Sequence, residues 1–222
     1  MNGLSGFCDW RQSGAMKFAV MMMCALVPAL QAGVTIEGVV TLPKKSAAAA
    51  ASARYKTPLQ VGAADAPAAI VYLEGKFPAA ATNTVEVGQR HYQFTPGLMA
   101  VQKGTKVRFP NYDDDYHNVF TLSKVKRFDL GRYRKDEEPA SQTFDQVGVV
   151  KLFCEIHEHM RGTVLVLDTP YFAKTAAGGK YALTNLPAGA YALKAWIDEK
   201  VVWEKAVELK DGETLKVDFG PK

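Results

Sequence analysis

The chain has 222 residues, 48% of them hydrophobic and 23% charged, with a formal net charge of +4. That length allows one large or two small domains, each with a packed core. The mild charge does not suggest a nucleic-acid binder, which would normally carry a strong basic stripe.

From Met16 the chain runs "MKFAVMMMCALVPALQAG": a basic Lys17, an apolar stretch Phe18 to Leu30, and the small Ala32 before Gly33. This is the pattern of a secretory signal peptide, and the apolar stretch is short for a membrane span. Residues 1–15 fit neither a signal nor a fold, so Met16 is the expected start, with an unusually long charged leader as the alternative. Lipid attachment at Cys24 is disfavoured, because that cysteine sits mid-run behind three methionines. The expectation is a leader and signal peptide over 1–32 and a periplasmic or otherwise exported protein with no membrane span in the mature chain. Cys8 and Cys24 would leave with the leader, which makes Cys154 the sole cysteine and excludes an internal disulfide. Export exposes a thiol to oxidation, so Cys154 must be buried, paired to another molecule, reactive or metal-bound. Of these, metal binding gains most.

Strand patterns fill the rest. Segments 34–42, 68–75, 84–94, 98–104, 105–111, 117–123, 141–148, 149–154 and 162–168 are β-branched or aromatic and often alternate. Gly75, Pro96-Gly97, Gly104, Pro110-Asn111, Gly148 and Gly162 punctuate them. Many short strands with regular turns predict an all-β sandwich or barrel. The alanine tract 46–53 lacks an apolar stripe and is expected as a surface loop or short helix. After Asp168 the rhythm changes. "KYAL" and "AYALKAW" joined through "LPAG", then "VVWEKAVEL" and "ETLKVDFG", predict a small antiparallel unit that contains no histidine or cysteine.

Chemistry concentrates in "FCEIHEHM", residues 153–160. A cysteine nucleophile would need an oxyanion hole beside its base, yet no glycine-rich turn adjoins Cys154. Zinc would accept Cys154, His157, His159 and His117, but structural zinc sites draw paired ligands from two arms, and the second arm here holds one histidine. Copper explains more. Two histidines and a cysteine with a weak axial methionine form a blue-copper set, in which soft sulfur suits Cu(I). His117 comes from "DDDYHNVF", and Cys154, His157 and Met160 come from one tight loop between strands.

The order His…Cys-x2-His-x2-Met resembles the cupredoxins, with the short loop of amicyanin. The lead-in "FTPGLMAVQKGTKVRFPNYDDDYHNVF" (94–120) resembles the cupredoxin approach to the first histidine. The resemblance covers about residues 80–168. It implies a Greek-key cupredoxin β-sandwich in which His117, Cys154, His157 and Met160 bind one type 1 copper. It also implies that Asn118 ties the two ligand loops by hydrogen bonds, and that electrons pass through an exposed His157 edge. "HNVF", "FDLG", "CEIHEHM" and "LPAGAYALKAW" are similar to bacterial exported methylamine utilisation protein-like cupredoxins. The tail, with "IEGVV" and "AAIVYLEG", resembles a transthyretin-like or carboxypeptidase regulatory-like β-sandwich. The domains expected are N-terminal strands of an accessory sandwich over 33–76, a cupredoxin over 77–168, and the remainder of the accessory sandwich over 169–222. The simpler alternative is two consecutive domains, with 34–76 adding strands to the cupredoxin.

His159 is expected in solvent or behind the ligands, and His91 at a surface or strand edge. Glu155, Glu158 and the run Asp113–Asp115 are expected as solvated loop residues. Residues 124–135 hold Lys124, Lys126, Arg127, Arg132, Arg134 and Lys135 against Asp129 alone. The segment is either a solvated loop or a docking surface that steers an acidic redox partner. The implied function is single-electron transfer without enzymatic activity. The alternatives are a copper carrier or store using the same ligands, and an interaction module with a secondary metal site. The oligomeric state is not legible.

Overall fold

The structure is a computed structural model that describes residues 33–43, 61–62, 65–78 and 84–221. The leader, Met16 and the alanine tract lie outside the described residues.

Two strands come first, β1 (Val34–Val39) and β2 (Ile70–Glu74). Ten follow: β3 (Val85–Glu86), β4 (Gly88–Arg90), β5 (Gln93–Thr95), β6 (Leu98–Gln102), β7 (Thr105–Arg108), β8 (His117–Thr121), β9 (Phe128–Tyr133), β10 (Ser141–Phe144), β11 (Gly148–Phe153) and β12 (Arg161–Leu167). The last five are β13 (Phe172–Lys174), β14 (Lys180–Leu186), β15 (Gly189–Trp196), β16 (Val202–Leu209) and β17 (Thr214–Lys216). The protein is all-β.

Pairing sorts the strands into two sandwiches. One has sheets of order β14-β1-β17 and β13-β2-β15-β16. Alternation drives its core: Val34 and Ile36 of β1 face inward while Glu37 faces out, and Ile36, Leu73, Leu183, Leu193 and Phe219 pack together. The other has a five-stranded sheet, β6-β12-β11-β8-β9, opposite β10-β7-β3. A bridge from Gln89 to Asn111 continues this second sheet into the β4–β5 hairpin. Phe109, Phe144, Val119, Val150, Leu152 and Val164 fill the space between.

Strand β12 explains why the two sandwiches stay together. Its run "TVLVL" is apolar on both faces, as expected of a strand covered on both sides. Val164 and Val166 enter the second core. Leu165 and Leu167 face the opposite way and meet Ile70 and Trp196 of the first sandwich. Each such side chain contributes about 1.5–3 kcal/mol on burial.

Three stretches differ from expectation. The tail is not an antiparallel unit of its own, since β14 and β17 pair with β1, the latter in parallel, and β15 pairs with β2. Segment 84–94 is not one strand. It breaks at Val87 and turns at His91–Tyr92, where both residues have positive φ (51° and 58°). This is the geometry of a two-residue type I′ hairpin, which normally takes Asn-Gly. A left-handed conformation costs a residue with a Cβ roughly 1–2 kcal/mol. Residues 124–135 are also not all loop, since β9 pairs with β8 and sets Tyr133 opposite His117.

Candidate metal centre

The site grows from the ends of two neighbouring strands. Strand β8 opens with His117. Strand β11 ends at Phe153, one residue before Cys154, and Phe153 pairs with Arg161 of β12. The paired strands thus close residues 154–160 into a tight loop, and Met160 N–H donates to His157 O at 2.9 Å across it. Asn118, fully buried, holds the loop to the sheet. Its carbonyl accepts from Glu155 N–H (3.3 Å), and its amide donates to Asp129 Oδ1 (2.7 Å) and Gly131 O (3.1 Å).

His117, Cys154 and His157 come together, all buried, with ligand atoms within 4.8 Å of one another. His117 Nδ1 lies 3.0 Å from His157 Nδ1, and Cys154 Sγ lies 3.8 Å from the latter. Both imidazoles have a carboxylate on the opposite side. His117 Nε2–H donates to Asp113 Oδ2 at 2.8 Å, and His157 Nε2 is 3.9 Å from Asp115 Oδ2. A proton held on Nε2 leaves the Nδ1 lone pair for a metal. Two Nδ1 atoms 3.0 Å apart, beside a sulfur, therefore fit a bound cation.

Electrostatics point the same way. Burial alone would raise the Cys154 thiol. Hydrogen bonds from His117, His157 and the Asn118 and His157 backbone outweigh it and bring the thiol down to about 6. Burial pulls His117 down, but its contacts with Cys154 and Asp113 push it above its ordinary value. The site thus favours thiolate, the form that binds metal.

Met160 is fully buried in the core below the loop, so a methionine at this position does have a core to fill. His159 is half-buried, its ring 6.1 Å from that of His157. His157 is only 3% exposed, unlike the open edge that the resemblance implies. Tyr92 sets its ring edge-to-face on both imidazoles, 5.5 Å from His117 and 5.0 Å from His157.

Asp113 was missed as a site residue. Its one sequence signal is its place four residues before His117, and the two neighbouring aspartates hide it. Besides His117 it accepts His91 N–H (2.7 Å) and Tyr92 N–H (2.9 Å). Burial would raise its carboxyl, but these backbone bonds and the one from His117 together bring it below its ordinary value.

The basic segment divides along β9. Arg132, Arg134 and Lys135 lie at the ligand end, paired with Glu155, Asp136 and Asp114. Lys124 and Arg127 lie beyond the other end of β8, roughly 13 Å away at 3.4 Å per residue. Both are exposed, and neither makes an ion pair among the described residues.

Residues 81–167 match the family model described as copper binding proteins, plastocyanin/azurin family. No curated protein sequence matches the chain significantly. Among solved structures, the chain is similar to a copper-containing nitrite reductase of Thermus scotoductus SA-01 (23% identity, TM-score 0.36). That match covers 42% of this chain but only 25% of the reductase, a quarter of its length. A purple cupredoxin from Nitrosopumilus maritimus matches at 19% identity and TM-score 0.34, over 37% of this chain and 98% of that one. A single-residue mutant of amicyanin, as Cu(I), matches at 22% identity and TM-score 0.35, over 43% of this chain and 97% of that one.

Proposed function

We propose, from the match of residues 81–167 to the plastocyanin/azurin family of copper-binding proteins, that the chain is an exported carrier of single electrons. Copper is its cofactor. The observation that carries the proposal is the convergence of one thiol and two Nδ1 atoms in a buried cluster. Bound copper would supply a one-electron couple. His117, Cys154 and His157 would hold it in the strand-end frame, and Met160 would be the weak fourth ligand. Asn118 would keep the loop at fixed distance from β8, so that geometry changes little between oxidation states. No enzymatic step is assigned to the chain.

Export is supported by the pattern from Met16 to Ala32. No described helix is long and apolar enough to cross a membrane. We also propose that the accessory sandwich is discontinuous, 33–76 with 169–222, and that 77–168 is the inserted copper domain. Strand orders β14-β1-β17 and β13-β2-β15-β16 support this, because each mixes strands from both outer stretches.

Copper-loaded full chain should be intensely blue and give a reversible one-electron wave. Cys154→Ala should abolish the colour and His159→Ala should keep it. Met160→Leu should keep the colour and shift the potential. Colourless binding with rapid loss to a chelator would instead favour a copper carrier.

A further inference from the structure

The His91–Tyr92 turn sits in a conformation that its residues resist. Both have positive φ, in a hairpin of two-residue loop whose strands, β4 and β5, pair from Gly88–Thr95 to Arg90–Gln93. Asn-Gly adopts this geometry without strain. Where the backbone is held in a disfavoured region, the surroundings must over-determine it, and such places cluster at functional sites. Here the restraint is visible. One carboxylate, Asp113, accepts both turn N–H groups and His117 Nε2–H. The turn and the first metal-ligating histidine are therefore fixed by the same two oxygen atoms, although 22 and 21 residues separate Asp113 from the turn residues.

What the strained turn delivers is the Tyr92 ring. It lies edge-to-face against both imidazoles, and those imidazoles meet each other at 4.8 Å between centroids. A glycine at 92 would relax the backbone and leave this space to water. His157 is buried to 3% exposure in a loop that the family resemblance would leave open, and Tyr92 and Asp115 are among the groups against it.

We propose that Tyr92, locked in its turn by Asp113, is a positioning residue of the metal centre, whose ring fixes both imidazoles and keeps water from His157. This rests on the copper function proposed above. Bulk water stabilises the more highly charged oxidised site over the reduced one, so removing the cover lowers the reduction potential. It also opens a path for competing ligands.

The test compares full-length wild type with the double variant His91→Asn, Tyr92→Gly and with Tyr92→Phe. Three quantities are measured: the Tm of the metal-free protein, the rate of copper loss to an excess of Cu(I) chelator, and the potential. The double variant should keep a metal-free Tm within about 4 °C of wild type, the shift that about 1 kcal/mol gives a chain of this size. It should lose copper about 10–100-fold faster, the usual scale for residues that orient metal ligands, and its potential should fall. Tyr92→Phe keeps the ring and should stay within a few-fold of wild type. Copper loss at the wild-type rate in the double variant would overturn the proposal. So would a collapse of metal-free Tm in that variant, which would make Tyr92 a residue of the fold alone. Wild type that takes up no copper would overturn the copper function, and this inference with it. Copper-binding wild type with an indifferent double variant sinks only the inference.

Discussion

At the scale of single residues, Cys154 is the group most altered by its surroundings. Its folded value of about 6 lies below the ordinary 9.0. A group depressed in this way stabilises the fold fully above its unfolded value and loses that contribution as pH falls through the folded one. In metal-free protein, the stability difference between wild type and Cys154→Ser should therefore widen from pH about 6 toward pH about 9. Thiolate absorbance should titrate with a midpoint near 6, with the serine variant as blank; a midpoint at the ordinary thiol value would show that the imidazoles do not act on the sulfur. Asn118 illustrates a different residue-scale effect. It carries no charge, yet its side chain bonds at once to the ligand loop and to β9. An aspartate could not replace it, since the amide oxygen serves the loop and the amide nitrogen makes both bonds to β9.

At the scale of elements, β12 does two jobs because its two faces see different cores. Leu165→Ala removes a side chain from the contact between sandwiches and leaves the Val164 and Val166 face intact. The expected loss is about 2–5 kcal/mol, measured by denaturant unfolding, with the colour of the copper-loaded native protein unchanged. The alternating strands and the 154–160 loop were legible from sequence: β1, β11 and β12 announce themselves by apolar spacing, and the loop by its cluster of Cys154, His157, His159 and Met160. Two features were not. The turn at His91–Tyr92 has no Asn or Gly to mark it, so a continuous strand was the natural expectation. Its restraint comes from Asp113, which local pattern cannot connect to it. Strand β9 was hidden for a different reason. It is an edge strand whose charges face water, and Gly131, at φ 71°, interrupts its alternation where the pairing with β8 shifts register. Edge strands carry charge to discourage further pairing, and such a strand reads as a loop. Met160 shows the opposite limit. Its burial is plain, but burial suits a core methionine and an axial ligand equally.

At the scale of the molecule, the ion pairs of the basic segment 124–135 decide how it would act on a partner. Arg132, Arg134 and Lys135, nearest Cys154, pair with Glu155, Asp136 and Asp114, and Lys126 pairs with Asp145, whereas Lys124 and Arg127 are not ion-paired among the described residues. An acidic partner docking near the copper would meet Arg132, Arg134 and Lys135 already facing carboxylates, with Lys124 and Arg127 acting from further away. Electron exchange with such a partner should therefore slow only mildly as salt rises from about 0.01 to 0.15 M, over which the screening length falls from roughly 30 to 8 Å. A steep decline, together with strong slowing by Arg132→Glu, would instead place steering at the ligand end.

In the discontinuous arrangement proposed above, the points where the chain would leave and re-enter the accessory frame lie side by side. Strand β2 pairs with β13, Leu73 N–H donates to Tyr171 O at 3.0 Å, and the rings of Phe77 and Tyr171 meet at 4.9 Å. A segment whose ends meet so closely behaves as a cassette. The frame fixes only a short gap and an apolar seat made by Ile70 and Trp196, so a transplanted module needs neighbouring termini and a matching greasy face. By the same token the copper-bearing piece, cut at these two points, is a natural substrate for circular permutation, with its old ends joined by a short turn and new ones opened elsewhere on its surface.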